Sequence, residues 1–157
     1  MVGGRAKHDE WPVVHMLSGT DEVLCRCAER GAAVSRTFPG HSDRVAAARQ
    51  FVRESLGGQP CTADAVLLTS ELATNAVLHT ASGDGGSFVV AVHRVPAFVR
   101  VEVTDGGSPG VPTVAGAPGA RLAPSGRGLL LVERVAARWG YRGGPDSRVV
   151  WCELDRS

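Results

Sequence analysis

The chain has 157 residues, 43% of them hydrophobic and 21% charged, with a formal net charge of +1. That is enough for one domain with a substantial core, and the near-neutral balance gives no reason to expect nucleic acid or an anionic membrane as partner. Lys7 is the only lysine, so no lysine in the body of the domain can contact a phosphate, and no G-x-x-x-x-G-K-[ST] string is present to form a P-loop.

In chain order, residues 1–32 read as an N-terminal extension. It opens as a polar, poorly ordered tail, and Thr20-Asp21-Glu22 caps a short helix running to Arg30. No apolar run reaches ~18 residues and no signal-peptide h-region is present, so the expectation is a cytoplasmic chain without a membrane span. Residues 33–157 read as one domain. Ala33 to Phe38 alternates as a strand and stops at Pro39-Gly40. Ser42 caps an amphipathic helix with Val45, Ala48, Phe51 or Val52, and Leu56 facing inward. Gly57-Gly58 ends it.

A second helix starts near Asp64 and runs through Leu67 to His79. Its apolar residues point in nearly every direction, the pattern of a buried helix. Glu71 and Asn75 nevertheless share one stripe of it, and burying a carboxylate and an amide is costly unless each has a partner. Ser87 to Val95 and Phe98 to Thr104 then read as antiparallel strands joined at Pro96-Ala97. Asp105-Gly106-Gly107 breaks the second. Gly107 to Ser125 lacks periodicity and holds four prolines, and so long a structureless segment in a small domain is usually functional or mobile. Leu129 to Arg138 reads as a helix, Trp139 to Arg142 as a short strand, and Arg148 to Leu154 as the closing strand. Clustered strands point to an α+β class: a two-layer sandwich, mixed but mostly antiparallel, with helices on one face.

The four cysteines make no framework. Cys25-x-Cys27 lacks the gap of a zinc knuckle, and Cys61 and Cys152 stand alone, so free thiols are expected. Three polar signals remain: Glu71 with Asn75, Asp105-Gly106-Gly107 at a strand end, and Gly126-Arg127-Gly128 opening a helix. The last is no dinucleotide fingerprint, since residue 131 is Leu where a third glycine is needed. Together the three suit a nucleotide. Glycines at a helix start let amides approach an anion, with Arg127 beside them. An Asn oxygen can ligate Mg²⁺, and a Glu one turn away can deprotonate a hydroxyl. A carboxylate at Asp105 can accept from the exocyclic amine of adenine and opposes the carbonyl of guanine.

Glu71-Leu-Ala-Thr-Asn75-Ala-Val-Leu-His79 resembles the N-box of the GHKL ATPases, the group of gyrases, heat-shock chaperones, histidine kinases and mismatch-repair proteins. Val103-Thr-Asp105-Gly-Gly107 resembles their G1 box, and Gly126-Arg-Gly128-Leu-Leu-Leu-Val132 their G2 box. Within that group the chain is similar to the single-domain serine kinases that act as bacterial anti-sigma factors. Shared runs are Arg36-Thr-Phe38-Pro, Ala137-Arg-Trp139-Gly and Val150-Trp151-Cys-Glu153-Leu, and the likeness covers about residues 33 to 155. The resemblance implies the Bergerat ATP-binding fold, with ATP and Mg²⁺ as cofactors. Asn75 would hold the metal, Asp105 would meet the adenine, and Gly107 would let the base approach. Gly126, Arg127, Gly128 and Leu129 would lie at the phosphates, with Glu71 the catalytic base and 107–125 a lid. A threonine expected near the start of the last strand is matched by Val149, which cannot hydrogen-bond. His79 is read as a helix-end residue packing near the site.

The resemblance implies an ATP- and Mg²⁺-dependent serine/threonine protein kinase that binds a sigma factor and phosphorylates a STAS-type anti-anti-sigma partner. It also implies a possible homodimer. The alternative is an ATP-binding regulator without transfer activity. The catalytic half of a histidine kinase is a weaker reading, because the chain has no room for a dimerisation domain, and His41 and His79 sit where folding explains them.

Overall fold

The structure is a computed structural model that describes residues 23–27, 31–110 and 126–156. Its sheet comprises β1 (Val23–Cys27), β2 (Gly31–Pro39), β3 (Ser87–Arg94), β4 (Phe98–Asp105), β5 (Arg138–Gly143) and β6 (Arg148–Asp155). The order is β1-β2-β3-β4-β6-β5, and among the described residues every pairing is antiparallel where a mixed sheet was expected. Helices α1 (Val45–Leu56), α2 (Thr62–His79) and α3 (Gly126–Val135) complete the two-layer α+β sandwich. None of the described helices is long and apolar enough to cross a membrane.

The core lies between sheet and helices. Phe88, Val90, Val92, Val99, Val101 and Val103 project from β3 and β4 into a cluster with Phe51 and Val52 of α1 and with Leu68, Leu72 and Ala76 of α2. Full burial of each such Val, Leu or Phe contributes about 1.5–3 kcal/mol. Phe38 joins them, stacked on Phe88 at 5.5 Å and edge-on to Phe51 at 6.1 Å. Strand alternation and the apolar stripe of α1 thus meet in one interface.

Several expectations are corrected. Residues 23–27 form a strand, not the middle of a helix from Thr20 to Arg30. A local cap signal favours only a short helix, marginal in isolation, whereas pairing Val23 with Ser35 through to Cys27 with Gly31 gives the backbone groups partners in a ladder. Residues 1–22 lie outside the described set. Ser42 does not cap α1; it opens a 3-10 turn, Ser42–Arg44, from which α1 continues. Gly57 does end α1, in the left-handed region at φ 58°, its N–H bonded to the Arg53 carbonyl. Nor is α2 buried all round: Leu67 is 42% and Leu78 64% exposed, while Leu68, Leu72 and Ala73 carry the packing. Helix α3 begins at Gly126 and stops at Val135, three residues earlier at each end than its apolar run indicates. Arg138 instead opens β5, where its Nε donates to Glu153 at 2.5 Å.

The other face of the sheet carries buried charge. Arg100, Glu102 and Glu153 are 1–3% exposed. Arg100 donates to Glu153 from Nε at 2.8 Å and lies 4.2 Å from the Trp151 ring. Arg142 grips both oxygens of Glu102 at 3.2 Å, and His93 Nε2 lies 3.5 Å from Glu102. Burial pushes the Glu102 carboxyl up, but His93 and Arg142 together outweigh it and hold the group below the usual carboxylate range.

Candidate functional site

Helix α2 runs along the sheet and presents Glu71 and Asn75, both half-buried, toward the start of α3. There Gly128 packs so closely that a Cβ on it would meet Glu71 Oε2 at 2.7 Å and Asn75 Nδ2 at 3.6 Å. A glycine lets the first turn of α3 lie against these two side chains where they stand, whereas any added Cβ would push the end of Glu71 aside. That is the physical reason for a glycine inside a helix, where its backbone freedom is otherwise a cost. Two of the three polar signals in the sequence therefore meet in space. Glu71 and Asn75 are less buried than a fully internal helix would make them, so their desolvation cost is smaller than the sequence alone implies.

The α3 N-terminus supplies more. The first four amides of a helix have no intrahelical acceptor, so the N–H groups of Gly126, Arg127, Gly128 and Leu129 can meet an anion, aided by the helix dipole. The Leu129 side chain does something else: it is 5% exposed and belongs to the core with Val132, pinning α3 in place. What it can offer to an anion is its backbone amide. Arg127 is exposed and can swing over a bound phosphate.

The third signal joins through the end of α2. Thr80 Oγ donates to the Ala76 carbonyl at 2.6 Å and accepts from Ser82 N–H at 3.2 Å. Ser82 Oγ accepts from Gly106 N–H at 2.9 Å and donates to the Ser87 carbonyl at 2.7 Å. Ala81 N–H donates to the Gly107 carbonyl at 3.2 Å. One hydrogen-bonded chain thus runs from the turn after Asn75 to the turn after Asp105. Ser82 is 1% exposed, and sequence reasoning passed over it because it sits in a run of turn residues. Asp105 is 5% exposed, with Oδ1 accepting from Gly107 N–H at 2.7 Å. Burial pushes its carboxyl above the usual range, against the pull of that N–H and of Arg148.

Gly107 stands at φ +75°, and a Cβ there would fall 2.2 Å from the Pro145 carbonyl oxygen. The close approach that demands this glycine is to the turn between β5 and β6, whereas the resemblance gives the base as its reason. Val149 is also relocated. It pairs with Thr104, while Arg148 pairs with Asp105, so by strand alternation Arg148, not Val149, shares the face of Asp105. His79 is exposed at the end of α2, and His41 is exposed before α1. Cys61 and Cys152 are free and buried, and burial pushes the Cys152 thiol up to about 12, which makes it inert. Residues 111–125, most of the expected lid, lie outside the described set.

Among the described residues no group of three His, Cys, Asp or Glu side chains could cage a metal. The side-chain oxygen of Asn75 near the start of α3 fits a different mode, a hard cation held partly by phosphate and water. The arrangement as a whole offers amides and a guanidinium for phosphates, an oxygen ligand beside them, and a buried acceptor at the far end for an amine.

The family model described as the histidine kinase-like ATPase domain matches residues 38–153. That span takes in Glu71, Asn75, Asp105, Gly126 and Gly128. Among the curated proteins none matches the chain.

Proposed function

The chain belongs to the histidine kinase-like ATPase domain family, whose function is to bind ATP, and on that premise we propose that it is a serine/threonine protein kinase acting as an anti-sigma factor. Its phosphate acceptor is a hydroxyl on a small anti-anti-sigma protein of the STAS type. The observation that carries the reading is the Glu71 carboxylate set against Gly128, within the first turn of α3. A module that only binds nucleotide has no use for a base beside the phosphate-binding amides.

The chain's own residues divide the work. Asp105 accepts from the adenine amine. The amides of 126–129 and Arg127 hold the phosphates. Glu71 takes the proton of the incoming hydroxyl as its oxygen bonds to the γ-phosphorus and ADP departs. Asn75 would hold Mg²⁺, which would supply neutralisation of the charge that develops during phosphoryl transfer. Positioning and preorganised electrostatics supply most of the acceleration in such chemistry.

Incubation of the protein with γ-labelled ATP, Mg²⁺ and candidate STAS-type partners tests the reading. Label should pass to a serine or threonine of the partner, and Glu71→Gln should stop transfer while keeping ATP affinity. ATP binding without transfer to any partner would favour the alternative, a regulator that uses nucleotide only as a conformational ligand. Undiminished transfer by Glu71→Gln would refute the base assignment.

A further inference from the structure

Arg148 opens β6 directly across from Asp105. It is 6% exposed, and burying a guanidinium is costly unless its donors are engaged. Nη1 donates to Ser108 Oγ at 3.2 Å, Nη2 to the Ser108 carbonyl at 3.0 Å, and Nη2 also to the Gly110 carbonyl. The chain leaving β4 is therefore folded back over the start of β6 and tied there. Gly107 makes the fold-back possible through its positive φ and its close pass over Pro145. None of these bonds serves a regular ladder or a helix cap. They fix one turn, and that turn carries Asp105.

We propose that Arg148 is a positioning residue for the nucleotide: by clasping Ser108 and Gly110 and placing its charge across from Asp105, it keeps the Asp105 carboxylate fixed, with a positive charge facing it, for the adenine amine. The proposal rests on the assignment of Asp105 to the base. Among the described residues, the surroundings of Asp105 leave Arg148 as its electrostatic support. Phe88 of β3 and Ala81 and Ser82 of the turn after α2 carry no ionisable group, and Asp146 in the β5–β6 turn and His79 at the end of α2 are exposed. Among the described residues, Arg148 is the charge that draws the Asp105 carboxyl down against burial.

The test is ATP affinity measured by calorimetry from pH 5 to pH 8 on the full chain, with folding followed by circular dichroism. The wild-type protein should lose affinity on the acid side as Asp105 takes up its proton. Arg148→Met should bind ATP about tenfold more weakly at neutral pH, as a turn loosened by a fraction of an ångström implies, and its acid-side loss should begin at higher pH. Arg148→Lys keeps the charge but not the planar fork. It should leave the acid side unmoved and weaken binding about threefold, the loss of one charge-assisted bond. A merely structural Arg148 would lower affinity by one factor at every pH, and that result in Arg148→Met overturns the proposal. So does unchanged binding by either variant. If Arg148→Met does not fold, the lysine variant decides alone. Failure of the wild-type protein to bind ATP would instead strike the nucleotide reading itself, and this proposal with it.

Discussion

Gly128→Ala separates the site from the fold. An added Cβ would stand 2.7 Å from Glu71 Oε2, so the carboxylate must retreat by about 0.7 Å to an ordinary contact near 3.4 Å. The atom that must move is the far end of a half-buried side chain with room toward solvent, so the fold loses little. Alanine within a helix is better than glycine by roughly 0.5–1 kcal/mol, so the melting temperature should hold or rise by about 2–4 °C. Function should move the other way. A displacement of about 1 Å in a reacting group costs about 10²-fold, which puts the expected loss of phosphotransfer at roughly ten- to a hundredfold. Thermal melting read alongside γ-phosphate transfer makes the comparison. A folded variant that transfers phosphate at the wild-type rate would show that Gly128 and Glu71 touch for packing alone, and the site as drawn would be wrong.

Other outcomes follow from the same geometry. Asp105 has its folded pKa raised by burial, so its stabilising contribution is fully present at low pH and is lost as pH rises through the window above 3.8. Asp105→Asn should therefore melt higher than wild type at pH 7, with the gap narrowing toward pH 4, while binding ATP more weakly and discriminating less against GTP; equal melting at pH 7 would contradict the burial argument. Gly107→Ala places a Cβ 2.2 Å from a backbone carbonyl at φ +75°. It should destabilise by about 2 kcal/mol or more in chemical denaturation, since αL strain alone costs roughly 1–2 kcal/mol, and a neutral effect would mean the turn yields. On the outer face, Glu153→Ala leaves Arg100 buried without the carboxylate that it and Arg138 share. The expected loss is about 3–5 kcal/mol of unfolding free energy, and a loss below about 1 kcal/mol would show that the pair is solvated.

Much of this was legible beforehand because it rests on local pattern. The alternation of Val99, Val101 and Val103 marks β4 and its inward face. The spacing of Val45, Ala48, Val52 and Leu56 marks α1, and Gly57 marks its end. The three polar signals were also legible as residues of a kind. Their meeting point was not. That Gly128 lies on Glu71 follows from how α3 crosses α2, a tertiary fact no spacing encodes. The strand at 23–27 lost to a cap signal because pairing with 31–35 is decided by the partner strand. The exposure of Leu67 and Leu78 shows that an apolar circumference does not bury a helix if only one side meets the sheet. Arg148 was missed for a simpler reason. Attention fell on its neighbour Val149, which pairs with Thr104 and so lies on the face that points away from Asp105.

The central claim is that the half-buried Glu71–Asn75 stripe is one wall of an ATP site. Calorimetric titration of Mg²⁺-ATP into the wild-type protein and into Asn75→Ala tests it most directly. A saturable single-site heat in the wild type that vanishes in a folded Asn75→Ala is the predicted result. Undiminished affinity in that variant would remove Asn75 from the site and contradict the account.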